Sequence, residues 1–287
     1  LSPTLRSLNA WPYPLLYAIC FFQISIFYFL KFQKKDTNKK LKYCLLNVFF
    51  LALSAYFTPN FAVFSIFFLF YFLKNYRLSK ESLLIISANL ILSLPGIYFL
   101  IIKDFYFFRH EAEYVISNYS IYDTLNISNK IIIISSILFF FFIPLIEVKK
   151  IKIKTFFQFN FLILSFLILN IYFYNFSSGL GGGFFYHLSN IFFEGPFLLF
   201  VIFIFSIFLF KAYELFNFNN ILLFILLIFY NIQSTIYFKY YDPIIFFMIL
   251  FLFKFKENLM LNYISKKYFF FYLFFLIISF GKKFIVY

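Results

Sequence analysis

The chain is a succession of long apolar runs separated by short, lysine-rich loops. A helix needs about 20 predominantly apolar residues to cross the hydrocarbon core of a bilayer. With 64% hydrophobic residues among 287, a soluble protein of this size could not bury its apolar surface. We therefore predict an all-α fold, a single polytopic transmembrane helix bundle over residues 1–287. The expected spans, about ten in number, lie near residues 12–30, 43–57, 61–73, 82–102, 131–148, 155–174, 196–210, 219–235, 241–253 and 268–280.

The runs at 43–57 and 61–73 are shorter than a bilayer crossing requires, and Pro59 lies between them. Proline disfavours helical geometry in the residue before it. We expect either a tight hairpin that turns at Thr58-Pro59-Asn60 or a pair that is partly re-entrant.

The basic residues assign an orientation. If the loop 31–42 is cytoplasmic, helix alternation places 18 of the 25 lysines and arginines on that side and seven on the other. This asymmetry follows the positive-inside rule. It also accounts for the net charge of +14, so membrane lipid is the expected partner and nucleic acid is not.

The stretch 233–250 places Lys239 and Asp242 among tyrosines at a non-cytoplasmic border. One interpretation is structural: Asp242 caps a helix that Pro243 opens, and Lys239 extends toward the headgroups. The other is functional, with Lys239 and tyrosine hydroxyls such as that of Tyr241 binding an anionic headgroup or diphosphate. Arg6, which precedes Trp11 at the first span, poses the same choice between an interfacial anchor and a phosphate clamp.

Two outer loops hold further candidates. The "GLGGG" sequence at 179–183 contains four of the seven glycines and precedes Tyr186 and His187; it is either a flexible loop or a loop that folds over a substrate. The loop 103–129 carries Arg109 and His110 beside two glutamates. These groups could act as acid or base or hold a divalent cation, or could line a solvated surface helix. No spacing defines a metal site. Residues 118–120 and 126–128 match the glycosylation sequon.

Three stretches together resemble the GT-C superfamily of membrane glycosyltransferases, whose members include the protein O-mannosyltransferases and the aminoarabinose transferases. The first, "SPTLRSLNAWPYPLLYAICFFQISIFYFLKF", leads from an outer loop through a span to a lysine-rich loop. The second, "LALSAYFTPNFAVFSIFFLFYFLK", is similar to the short hairpin with a polar tip. The third, "TIYFKYYDPIIFFMILF", is similar to the late basic-tyrosine-proline element at an outer border.

The resemblance implies sugar transfer from a polyprenyl-phosphate donor on the non-cytoplasmic face. The acidic base of the family lies in the first outer loop, which we expect upstream of Leu1, so the catalytic residue is unknown in this chain. The resemblance suggests donor-phosphate contacts from Arg6, Lys239 and Tyr241. A substrate loop would draw on Asn60, Arg109, His110, Tyr186, His187 and Asp242. A divalent cation is an optional cofactor. The expected location is the cytoplasmic membrane of a bacterium, or the endoplasmic reticulum membrane of a eukaryote.

Two other functions fit an apolar chain with charged outer loops. An envelope polysaccharide polymerase or ligase would act on lipid-diphosphate sugars and favours arginines in large outer loops; here only Arg6 and Arg109 are outside. A non-enzymatic transporter or flippase would place ionisable groups at mid-membrane, and the spans expected from the sequence contain almost none.

The charge asymmetry generates a topology prediction. In a background without Cys20 and Cys44, single cysteines in 31–42 and 149–154 should react with impermeant thiol reagents only from the cytoplasmic side. A cysteine at position 115 should react only from the opposite side. Cytoplasmic labelling of position 115 would contradict this orientation.

Overall fold

The structure is a computed structural model that describes residues 14–34, 39–77, 79–101, 126–145, 161–176, 181–231 and 236–255, with Lys267, Phe269, Phe270 and Leu273. Within these ranges it is all-helical and contains no strand, which confirms the predicted class. Two 3-10 helices cover Pro59–Phe64 and Ile143–Leu145. The α-helices, numbered in chain order, are α1 (Pro14–Gln33), α2 (Lys40–Phe57), α3 (Ser65–Tyr76), α4 (Lys80–Ile101), α5 (Ile127–Phe142), α6 (Phe161–Tyr172), α7 (Gly183–Phe193), α8 (Phe197–Ala212), α9 (Phe218–Tyr230) and α10 (Phe238–Phe251).

Three helices in the described ranges are long and apolar enough to cross a membrane: α1, α2 and the Lys80–Tyr98 part of α4. The other apolar helices are shorter; α6, for example, has 12 residues. At 1.5 Å per residue such a helix is about 18 Å long, less than the ~30 Å hydrocarbon core. The prediction of ten spans therefore stays a prediction, and most of the run 268–280 lies outside the described residues.

The helix break predicted at Thr58-Pro59-Asn60 is confirmed, whereas the choice between a tight hairpin and a partly re-entrant pair stays a prediction. Helix α2 ends at Phe57, and Thr58 is extended, with φ −146° and ψ 103°. Pro59 then opens the 3-10 helix that leads into α3. The extended residue before proline is the geometry that the pyrrolidine ring imposes.

Three helix starts differ from the boundaries read from hydrophobicity. The region 176–195, predicted as a loop, contains α7. Helix α10 begins at Phe238, with Tyr237 as its N-cap, so the prediction that Asp242 caps this helix is wrong. Helix α5 begins at Ile127 and includes Lys130, which the sequence had suggested lies outside the span. A boundary drawn from hydrophobicity ends the helix at a charged residue. A helix can nevertheless continue through a charged residue whose side chain has hydrogen-bond partners inside the protein.

Phenylalanines fill the contact between α1 and the segment from Pro59 to α3. The Phe22 ring lies 5.0 Å from both Phe61 and Phe64. About two and three helical turns further along α1, Phe29 and Phe32 make edge-to-face contacts with α3. Each such pair contributes about 0.5–1.5 kcal/mol beyond the area it buries.

Helices α1 and α2 are also joined by polar side chains. The Asn47 amide nitrogen donates to the Ser25 carbonyl and the Ser25 hydroxyl, each at 2.8 Å. Ser54 Oγ donates to the Ala18 carbonyl at 2.7 Å. All four residues are buried. Such bonds hold helices in one register where the surroundings offer no water.

We expect Asn47→Ala to destabilise the α1–α2 pair by about 1–3 kcal/mol, because both interhelical bonds are lost in a buried position. Thermal unfolding of the purified full-length protein in detergent would measure the loss. Asn89→Ala is the matched control, since among the described residues the Asn89 amide bonds only to the Ile85 carbonyl in its own helix, at 2.9 Å. Equal effects of the two substitutions would contradict the interhelical role of Asn47.

Candidate functional site

Polar side chains collect at two opposite ends of the helix bundle. We call the first the Lys254 end; it consists of Tyr71, Asn217, Asn219, Asn220 and Lys254. Asn219 Nδ2 donates to the Leu252 carbonyl at 3.0 Å, and Asn220 Nδ2 donates to the Lys254 carbonyl at 2.9 Å. The Tyr71 hydroxyl donates to Asn219 Oδ1. These bonds connect α3, the start of α9 and the end of α10, so this end acts as a structural joint.

The second group, which we call the Lys130 end, consists of Asn126, Asn129, Lys130, Asn175, Tyr230, Asn231, Tyr241 and Asp242. Its asparagines tie the loop after α6 to the start of α5. Asn129 Nδ2 donates to Asn175 Oδ1 at 2.9 Å, and the Asn175 backbone N–H donates back to Asn129 Oδ1 at 3.0 Å. Asn126 Nδ2 donates to the same Asn175 oxygen at 2.5 Å. The amide pairs hold the α6 exit beside Lys130.

Two charged side chains are buried at this end. Lys130 is 2% exposed, and its Nζ donates to the Asn231 carbonyl at 2.8 Å. Asp242 is 1% exposed and lies in the second turn of α10, which packs against α5. Burying a charge is costly unless other groups stabilise it. A lysine and an aspartate buried near the starts of two packed helices are therefore a strong indication of a polar site.

Tyrosine hydroxyls at this end have unfilled hydrogen-bonding capacity. The rings of Tyr230 and Tyr241 are 5.8 Å apart, and both side chains are almost completely buried. Neither hydroxyl has a hydrogen-bond partner in the described part of the chain. Leaving such a group unsatisfied costs about 1–3 kcal/mol. Both phenols are therefore buried groups whose hydrogen-bonding capacity the described residues leave unfilled.

Tyr174, in the loop that follows α6, shows the same feature. Its hydroxyl is buried without a hydrogen-bond partner among the described residues. A tyrosine phenol is neutral at physiological pH, and its O–H can donate to a hydroxyl or phosphate oxygen.

The structure brings together stretches that are far apart in sequence. The hairpin tip meets the Lys130 end through Phe61, whose ring lies 5.4 Å from Tyr230. The glycine sequence joins the stretch before α10, because the Gly182 N–H donates to the Ile236 carbonyl at 2.8 Å. Tyr186 is buried in this region, and its ring lies 5.4 Å from that of His187.

Gly182 is required where it lies. Its φ is +83°, which residues with a side chain rarely adopt, and an added Cβ would overlap the Tyr186 ring. Residues 181–183 therefore form a turn of positive φ against Tyr186.

Of the predicted site residues, Asn60, Tyr186, His187, Tyr241 and Asp242 belong to the described part of the chain. Asn60 is half-buried beside Phe61 at the hairpin tip, and Tyr241 and Asp242 are members of the Lys130 end. Arg6, Arg109 and His110 lie outside the described residues. Lys239 belongs to α10, but its side chain lies outside the described part.

Sequence reasoning did not select Lys130, Tyr230 or Asn231. Lys130 directly precedes a run of isoleucines, and Asn126 and Asn129 come just before it. These two asparagines are the sequence feature that could have indicated buried polar residues at the start of α5. The described residues hold no group of three or more histidine, cysteine, aspartate and glutamate side chains that could bind a metal ion. No family model, curated protein or solved structure matches the chain.

We expect Lys130→Met to lower the thermal stability of the full-length protein in detergent. The substitution leaves the Asn231 carbonyl without its charged donor, a bond of about 1.5–3 kcal/mol. Lys254→Met is the control at the other end: Lys254 is exposed, and its ammonium lies 4.9 Å from the Tyr71 ring centroid. A similar, small loss for both variants would show that Lys130 is not structurally engaged.

Proposed function

We propose that this protein is a polytopic membrane glycosyltransferase of the GT-C type, which transfers a sugar from a polyprenyl-phosphate donor on the non-cytoplasmic face. The observation that best supports the proposal is the composition of the Lys130 end. A buried lysine, a buried aspartate and two phenol hydroxyls with unfilled hydrogen-bonding capacity belong to this end. Two of the three stretches that resemble the superfamily, the hairpin and the stretch 235–251, contribute to this end.

These groups suit the release of a lipid phosphate. When the bond between sugar and phosphate breaks, negative charge grows on the departing phosphate. Fixed donors and a cation aimed at that position lower the barrier. In the proposed site Tyr241 and Lys239 donate to the phosphate, Arg6 adds a bidentate contact, and Lys130 provides positive potential from below. A general base takes the proton of the acceptor hydroxyl as the sugar is transferred.

The depth of the charged groups favours this function over transport. Lys130 is the fourth residue of α5 and Asp242 the fifth of α10. At 1.5 Å per residue, both backbones lie within roughly 6 Å of the helix starts. A transport pathway would place such groups near the middle of the bundle, whereas a headgroup site belongs at one end.

We expect Tyr241→Phe to leave stability unchanged or slightly raised, because the lost hydroxyl has no protein partner in the described part of the chain. Turnover should nevertheless fall about tenfold or more, since a charge-assisted bond to phosphate contributes about 1.5–3 kcal/mol. Lys239→Gln should act in the same direction. The measurement is release of polyprenyl phosphate by full-length protein in vesicles, with a panel of polyprenyl-phosphate hexoses as donors.

Tyr71→Phe is the matched control, because the Tyr71 hydroxyl is bonded to Asn219 at the opposite end. It should lower stability and leave turnover per folded molecule near wild type. Wild-type turnover in Tyr241→Phe and Lys239→Gln would remove both residues from the donor site. Turnover with lipid-diphosphate sugars alone would favour the polymerase or ligase instead.

A further inference from the structure

The exposed basic side chains of the described residues gather at the Lys254 end. Tyr71, a member of that end, lies in the last two turns of α3. Phe32, close to the end of α1, packs on Tyr76 at the end of α3, with 6.3 Å between the ring centroids. The ends of α1 and α3 and the starts of α2 and α4 therefore meet here. They carry, together with Lys254 itself, the exposed residues Lys34, Lys39, Lys42, Lys74, Arg77 and Lys80.

Three of these cations lie where α3 leads into α4, and we call this group the α3–α4 corner. Lys74 is in the last turn of α3, Arg77 is the C-cap of α3, and Lys80 is the first residue of α4. Glu81 is the only acidic residue from 74 to 84. Three cations therefore face one carboxylate, and the corner is a suitable site for an anion.

The backbone at Arg77 would suit glycine better than arginine. Its φ is 52° and its ψ is −141°, a conformation that residues with a side chain rarely adopt. Glycine is also the residue most often found directly after the end of a helix. An arginine at this position carries a cost in backbone strain, which indicates that its guanidinium has a use.

Below the corner, α4 presents a continuous apolar face. Only 11% of its Lys80–Tyr98 part is buried, against 44% for the corresponding part of α1. Leu83, Leu90 and Leu94 are 66%, 60% and 58% exposed. Their spacing from Lys80 places them on the side of the helix that carries this lysine. From Lys80 to Leu94 the face is about 21 Å long, which exceeds the ~15 Å half-thickness of the hydrocarbon core.

We propose that the α3–α4 corner binds the headgroup of an anionic phospholipid, whose acyl chain lies along the exposed face of α4. The cations and the apolar face together select this occupant. A nucleic acid or a small soluble anion would use the cations and leave the leucines in water, whereas a lipid covers both. The inference rests on the membrane location in the proposed function and is independent of sugar transfer.

The chemistry of the three cations suits a phosphodiester. An arginine guanidinium can donate two parallel hydrogen bonds to phosphate oxygens, and a lysine supplies a compact positive charge. Clusters of basic residues beside a membrane span attract anionic lipids in general. A zwitterionic headgroup also offers a phosphate, but it brings its own cation close to the lysines. The corner should therefore prefer a lipid with net negative charge.

Local quenching of tryptophan fluorescence tests the site. Trp11 is the only tryptophan, so full-length protein with Trp11→Phe and Leu83→Trp reports on one position, one turn from Lys80. The vesicles contain equal amounts of phosphatidylglycerol and phosphatidylcholine, with brominated chains on one lipid at a time. The ratio of quenching gives the relative affinity of the two lipids at the probe. We expect phosphatidylglycerol to be preferred at least about fivefold, the effect of one basic residue close to a membrane surface.

Two triple variants separate the corner from the charge of the whole end. Replacing Lys74, Arg77 and Lys80 by glutamine should abolish the preference. Replacing Lys34, Lys39 and Lys42 by glutamine removes the same charge from the α1–α2 connection and should leave most of it. Equal quenching by both lipids in the parent, a preference that survives the first triple variant, or equal losses in both would overturn the site. The assay needs no turnover, so failure of the sugar-transfer proposal would not affect it.

Arg77→Gly distinguishes a binding role from a structural one. The substitution removes the guanidinium and relieves the positive φ, so thermal stability in detergent should be unchanged or raised. The preference for phosphatidylglycerol at position 83 should nevertheless fall about fivefold. A loss of stability with the lipid preference intact would show that Arg77 serves the turn and would overturn its role in lipid binding.

Discussion

Inside a bundle of apolar helices, a polar side chain can bond only to another part of the protein, and this constraint determines how the helices are joined. The residue that meets it most often here is asparagine, whose amide both donates and accepts. Asn47 joins α1 to α2, Asn175 ties the α6 exit to α5, and Asn219 links α9 to α3 and α10. The phenylalanines supply contact area in nearly any register. The amides select one register, because a shift along the helix axis would leave them unsatisfied.

The two polar ends of the bundle differ in how completely their polar side chains are hydrogen-bonded within the protein. At the Lys254 end the asparagine amides both donate and accept, and their bonds connect three helices. At the Lys130 end the amides are equally well bonded, but the phenols of Tyr230 and Tyr241 are not, within the described residues. A protein that needed only stability would place phenylalanine at these positions. The retained hydroxyls distinguish a candidate binding site from a joint, and for this reason we assign function to one end.

Hydrophobic runs predicted the helical class and the turn at Thr58-Pro59-Asn60, because both depend on local chemistry. Helix ends were harder to predict. In the sequence, Lys130 has the position of a residue at the membrane surface, because it is a charge next to a run of isoleucines. Its burial depends on the Asn231 carbonyl, which lies 101 positions away in the chain. Asp242 looked like a cap, although α10 starts four residues earlier. The site likewise depends on contacts between residues far apart in sequence. The charged and proline residues next to Tyr241 mark it as a candidate in the sequence, whereas Tyr230 is identified by the contact of its ring with Tyr241.

The asparagine bonds at the Lys130 end also bear on covalent modification. Asn126 begins one of the sequons, and the atom that a glycan would join is its Nδ2. That nitrogen donates a hydrogen bond to Asn175 Oδ1 at 2.5 Å. Asn175 itself heads an Asn-Phe-Ser sequence, so the two acceptor asparagines bond to each other. A sugar on Asn126 would replace one of the two hydrogens of this nitrogen and add bulk beside the contact between the α6 exit and α5. In this fold, glycosylation of Asn126 and the hydrogen bond to Asn175 therefore use the same nitrogen, so a glycan at this position would bear directly on how the α6 exit meets α5.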